Sequence, residues 1–161
     1  MDMLIRAILF LLFVSFTANA EQPAPNWVLQ KADKVIGSKF LLGKPYVIHF
    51  WATWCPYCKR VQPGIDSLAR EYKNNGVETF AISFWENENA NPEREMLNRG
   101  LSLNVFKNGD TVAKAFGVQG TPTTVFVDIQ GNIVSRLTTS DPNSAQLQQA
   151  YQNLFQSKNK R

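Results

Sequence analysis

Two cysteines three residues apart, Cys55 and Cys58, stand where an apolar run ends and a helical pattern begins, and that junction constrains the fold more than any other stretch. Residues 45–52, Pro45-Tyr46-Val47-Ile48-His49-Phe50-Trp51-Ala52, are almost continuously apolar and rich in β-forming side chains, which fits a strand buried on both faces. After Cys55-Pro56-Tyr57-Cys58, residues Val61, Ile65, Leu68, Ala69 and Tyr72 recur at helical spacing up to the stop signal Asn74-Asn75-Gly76. A second apolar run, 77–84, follows at once. Strand, helix and strand in this order predict a βαβ unit with parallel strands.

The later elements follow the same reading. A helix is expected over 92–99, a short strand over 101–106, and a short helix over 110–116 stopped by Gly117. Runs 123–128 and 132–137, joined by Ile129-Gln130-Gly131, read as a hairpin. Over 144–155, Leu147, Ala150, Tyr151, Leu154 and Phe155 share one helix face. The expected class is α/β, a mixed central sheet covered by helices on both faces. A chain of 161 residues, 44% hydrophobic and without repeats, suits one such domain, and its formal charge of +4 has no basic run beyond Lys158-Asn159-Lys160-Arg161. That spread does not suit a nucleic-acid binder, and a monomer is expected.

The first twenty residues stand apart. Arg6 precedes the apolar stretch 7–14, and small and polar residues lead to Ala18-Asn19-Ala20, the pattern of an export signal cleaved after Ala20. An uncleaved anchor is the alternative, although a spanning helix needs about 20 mostly apolar residues. No cysteine near the junction offers a site for lipid attachment. The expected organisation is a signal segment over 1–20, an irregular leader over 21–26 and one domain over 27–161. Export places the dithiol in an oxidising, extracytoplasmic compartment, the periplasm for example.

A Cys-x-x-Cys at a strand-to-helix junction puts the first sulfur at the helix N-terminus, where free N–H groups and the helix dipole stabilise a thiolate. Cys55 is then the exposed nucleophile and Cys58, one turn inward, the resolving thiol. Pro56 occupies the first turn, where its missing N–H costs little. Structural zinc wants four Cys or His ligands, and the chain has two cysteines and one histidine. Haem attachment wants a histidine after the second cysteine, and that position is Lys59. An inert disulfide over so small a loop contributes little stability.

The stretch Phe50-Trp51-Ala52-Thr53-Trp54-Cys55-Pro56-Tyr57-Cys58 resembles the active-site signature of thioredoxins, and more narrowly of the exported TlpA/ResA-type disulfide reductases. Gly120-Thr121-Pro122-Thr123-Thr124-Val125-Phe126-Val127-Asp128 resembles their second signature. The likeness runs from Trp27 to the C-terminus. It implies a thioredoxin fold, a cis Pro122 facing Cys55, and a substrate surface including Trp54, Pro56, Tyr57, Thr121 and Pro122. His49 departs from the pattern, because the matching position in thioredoxins carries a buried Asp and in TlpA-like proteins often Asn. It reads either as a neutral base for Cys58 or as a core histidine bonded to its surroundings. Glu86 matches a glutamate that ResA-like proteins carry at a strand end near the dithiol. It reads either as a proton shuttle or as one polar residue of a loop. Trp51, Trp54 and Phe84 read as packing residues, with Trp54 also a candidate for the rim of the site.

Three functions compete. A reductase would pass electrons from Cys55 and Cys58 to disulfides of exported proteins, resupplied, by family likeness, by a membrane thiol-transfer protein. An oxidase or isomerase would run the exchange in reverse. A binding module or metal chaperone would use the thiolates to grip Cu(I), though no Met or His cluster accompanies them. No cofactor motif is present in the sequence.

Overall fold

A computed structural model describes residues 22–32 and 34–159. The signal segment expected over 1–20 lies outside the described residues. Strand β4 (Tyr46–Trp51) is buried at all six positions. Strand β5 (Glu78–Ser83) runs parallel on one side of it, and β7 (Thr123–Val127) antiparallel on the other. Beyond these lie β6 (Asn104–Phe106), parallel to β5, then β8 (Asn132–Leu137), antiparallel to β7, and β1 (Gln22–Pro23), antiparallel to β8. The described residues thus form a six-stranded mixed sheet in the order β1-β8-β7-β4-β5-β6.

Because side chains alternate across a strand, the sheet sorts the core into two layers. Val47, Trp51 and Phe126 pack against Val61 and Ile65 of α1 (Pro56–Lys73), Met96 of α2 (Pro92–Asn98), and Leu147, Tyr151 and Leu154 of α4 (Ala145–Lys158). Ile48, Phe50, Val125 and Val127 face the other way, onto Trp27, Phe116, and Val112 and Ala113 of α3 (Asp110–Ala115). Burying one phenylalanine contributes roughly 1.5–3 kcal/mol. Phe50, Phe84 and Phe126 therefore outweigh the partly exposed Lys59–Glu95 pair, of a kind worth at most about 1 kcal/mol. The α/β class, the helices on both faces and the parallel βαβ unit are as the sequence pattern predicts.

Two parts differ from expectation. The leader is not irregular throughout: Gln22 and Pro23 pair with Ile133 and Asn132, and the Ala24 N–H donates to Gly131 O at 2.8 Å. Pro23 lacks an N–H and is tolerated there because β1 is an edge. Strands β2 (Val28–Lys31) and β3 (Lys34–Gly37), followed by a 3₁₀ turn at Ser38–Leu41, form a separate two-stranded sheet that the sequence reading does not anticipate. Each strand is four residues long, and Val28 and Val35 are exposed, so no long alternating pattern announces them.

Helix α1 carries Pro63 in its interior. Proline has no N–H to give the carbonyl four residues back, so Lys59 O is deprived of its helical donor. The Arg99 guanidinium supplies the bond instead, donating to Lys59 O and to Gln62 Oε1. The α1 segment that begins at the cysteines is thereby tied to the end of α2. Arg99→Ala is expected to destabilise the protein by about 1–3 kcal/mol by leaving that acceptor unmet. In a Pro63→Ala background, where residue 63 regains an N–H for Lys59 O, the same substitution should cost measurably less. Urea unfolding of the double-mutant cycle measures the difference.

Candidate active site

Parallel pairing brings the ends of β4 and β5 together, with Trp51 opposite Ser83, and the antiparallel β7 enters at the same edge, with Thr123 opposite Phe50. Three loops therefore meet beyond the C-terminal end of β4. The first, Ala52-Thr53-Trp54-Cys55, turns on a bond from Cys55 N–H to Ala52 O (3.1 Å) and ends as the N-cap of α1. The Cys55 Sγ accepts the Cys58 N–H at 3.1 Å, so the sulfur itself fills the place of a capping oxygen. Pro56 follows as the first helical residue. Cys55 and Cys58 are joined as a disulfide, with their Cα atoms 5.4 Å apart.

The second loop follows β5 and holds the first in place. The Glu86 carboxylate accepts from Thr53 N–H (2.9 and 3.1 Å) and from Thr53 Oγ1 (2.6 Å), so its observed partner is the loop two residues before Cys55 rather than a sulfur. The third loop carries the cis Thr121–Pro122 bond that the resemblance implies. Thr121 O lies 3.7 Å from Cys55 Sγ. Thr121 Oγ1 lies 2.9 Å from Cys58 Sγ and donates to the Phe50 carbonyl at 3.1 Å. With its proton on Phe50 O, this hydroxyl offers a lone pair to Cys58, so a reduced Cys58 thiol has an acceptor already in position.

The freely exposed first sulfur expected at the helix N-terminus is corrected by the structure. Cys55 is only 2% exposed and Cys58 is fully buried, with the Thr121 loop packed against both sulfurs. What is exposed is the rim: Trp54, Tyr57 and Trp85 each show about half of their surface. The packing assignment holds for Trp51 and Phe84, which are buried, and not for Trp54, whose Nε1 donates to Trp85 O at 2.7 Å. The Arg60 guanidinium lies 5.5 Å from the Tyr57 ring centre. A groove of about 490 Å³ runs past Tyr57, Val118, Thr121 and Pro122 to Arg136. Trp85, Asp110 and Arg136 escape the sequence reading, since only the meeting of loops distant in the chain brings them to the site.

His49 is fully buried on β4 and alternates with Val47 and Trp51, which places it on the sheet face that carries α1 and Cys58. Its Nδ1 is 3.1 Å from Thr124 Oγ1, while Nε2 has no protein partner. Burial pushes the imidazole down to about 3, so it is neutral throughout the ordinary pH range.

A dithiol pair capping a helix and pressed against a cis-proline loop, on this sheet order, defines a thioredoxin-fold thiol-disulfide oxidoreductase. Residues 20–136 match the AhpC/TSA family, and the chain belongs to it. It is similar to the thiol-disulfide oxidoreductase ResA of Halalkalibacterium halodurans, at 36% identity over 119 residues, which are 73% of this chain and 67% of that protein. It is also similar to the protein of the same name from Bacillus anthracis, at 32% identity over 81% of this chain and 79% of that one. Among solved structures, a thiol:disulfide interchange protein of the thioredoxin family from Chlorobium tepidum superposes with a TM-score of 0.70. That match has 23% identity and covers 84% of this chain and 97% of that chain, a likeness of fold.

The neutral His49 has a consequence for stability. Between pH 6.5 and about 3 the unfolded chain binds a proton at His49 that the folded chain does not, so stability falls as pH falls through this window. The slope attributable to one such proton is at most about 1.4 kcal/mol per pH unit. Unfolding free energies at pH 7, 6 and 5 should therefore drop less steeply in His49→Asn than in the parent, with carboxylate contributions cancelling in the comparison.

Proposed function

We propose that the protein is a reductase of disulfides in exported proteins; the arrangement of Cys55, Cys58 and Thr121 carries the dithiol–disulfide exchange, and the likeness to TlpA/ResA-type reductases supports its direction. In its reduced form, the Cys55 thiolate, held by the Cys58 N–H and the start of an 18-residue helix, attacks one sulfur of a substrate disulfide. A mixed disulfide forms and the other substrate sulfur leaves as a thiolate. The Cys58 thiol then gives up its proton and attacks Cys55 Sγ, which closes the Cys55–Cys58 disulfide and releases the second substrate thiol. Two electrons pass from the dithiol to the substrate, and an external dithiol must return them.

In this scheme Thr121 receives the Cys58 thiol until it ionises, and its backbone beside Cys55 is where an extended substrate segment pairs. Glu86 positions the Cys55 loop through Thr53. His49, the residue that the sequence offered to take the Cys58 proton, lies on the Cys58 side of the sheet but bonds to Thr124, and burial that pushes its imidazole down to about 3 makes it a weak base for that task. Trp54, Pro56, Tyr57 and Pro122 form the surface that the substrate meets. The export pattern of residues 1–20 supports action outside the cytoplasm. Among the described residues no helix is long and apolar enough to cross a membrane.

The scheme predicts an asymmetric result. Cys58→Ser should accumulate a stable mixed disulfide with an oxidised protein such as insulin, whereas Cys55→Ser should form none and lose all turnover, as read by non-reducing electrophoresis and by insulin reduction. The direction of flow is set by the potential: equilibration with glutathione or dithiothreitol buffers should give a value near or below that of thioredoxin, about −270 mV. A value approaching that of DsbA, about −120 mV, would make the protein an oxidase.

A further inference from the structure

Trp85 has a left-handed backbone, φ 54°, at the first position after β5 and Phe84. Bulky side chains rarely take that conformation, and glycine takes it freely. The surrounding structure holds it there from both sides. Asp110 Oδ1 accepts the Trp85 N–H at 3.0 Å, and Trp54 Nε1 donates to the Trp85 carbonyl at 2.7 Å. The indole is 52% exposed, with its covered side against the buried Phe84 ring, their centres 4.6 Å apart. Such a backbone persists where the surrounding structure over-determines it, and here the clamp fixes a half-exposed indole next to the loop that carries Cys55, the mark of a functional position.

Trp54, half exposed, directly precedes Cys55, so its bond to the Trp85 carbonyl ties Trp85 to the loop that carries the disulfide. A hollow of about 470 Å³ lies against Phe84, Trp85, Ala113 and Val118. The nearby carboxylates are already engaged, Asp110 with the Trp85 N–H and Glu86 with Thr53, which leaves a largely apolar shelf with Lys114 as the cation on its lining. We propose that Trp85, with Trp54, is a docking shelf for a polypeptide substrate, receiving a large apolar side chain that flanks the substrate's reacting cysteine. The shelf rests on the reductase reading of the site, and its occupant is the disulfide-bearing segment of a protein, since a chain whose sulfur meets Cys55 passes the adjoining Trp54 and the residue bonded to it.

The test uses two peptide disulfides that differ only in Phe or Ser beside the cysteine. Each is mixed with reduced Cys58→Ser protein, in which attack by Cys55 stops at the mixed disulfide and one peptide thiol is released. The Phe peptide is expected to react about tenfold faster than the Ser peptide, the gain that burial of one large apolar side chain supplies. Adding Trp85→Gly should bring the ratio close to one, with the fold retained because glycine suits the left-handed backbone. Adding Trp85→Phe should keep most of the ratio. A ratio near one with Trp85 present, or one unchanged by Trp85→Gly, overturns the shelf. If neither peptide forms a mixed disulfide in the Trp85 protein, the reductase reading itself falls and takes the shelf with it.

Discussion

Strand β4 has no side open to solvent: neighbours pair with it on both edges, and helices cover both faces. Its polar backbone is satisfied by pairing and its side chains are dry, so its position can hardly change without unmaking the core. The loops that form the site are fastened to its C-terminal end. Trp51 O accepts the Phe84 N–H, Phe50 O accepts the Thr121 hydroxyl, and Glu86 reaches over to Thr53. The precision needed to hold a hydroxyl 2.9 Å from a resolving sulfur is thus inherited from the most buried strand.

The central fold was legible because its signals are long. A six-residue apolar strand and an 18-residue helix with Val61, Ile65, Leu68, Ala69 and Tyr72 on one face each carry many residues that agree. The helix α4 and the β7–β8 hairpin were readable for the same reason. Strands β2 and β3 carry only four residues each, with apolar side chains in solvent, and β1 depends on a partner more than a hundred residues away. Local pattern cannot foresee pairing of that kind.

The site divides along a similar line. Cys55 and Cys58 sit in a short motif whose spacing could be read directly, and the cis bond at Pro122 followed from the resemblance of a second motif. The covering of Cys55 could not, because it depends on how closely the Thr121 loop approaches. Glu86 was singled out as a neighbour of the dithiol, yet its bonds go to Thr53, a pairing that spans 33 residues of sequence. Trp85 lies just past the apolar run 77–84, and its backbone angle and exposure set it apart from the neighbouring Phe84.

The cap of helix α1 is the reacting atom itself. Oxygen caps on ordinary helices keep one chemical state, whereas this one alternates among thiolate, mixed disulfide and intramolecular disulfide. Folding and electron transfer consequently share a thermodynamic cycle: whatever steadies the helix start in one redox state more than in the other must shift the potential, by about 30 mV for each 1.4 kcal/mol. The difference in unfolding free energy between the oxidised and reduced forms, referred to the same cysteine couple in the unfolded chain, is therefore itself an electrochemical quantity. A calorimeter pointed at this domain would serve as an electrode.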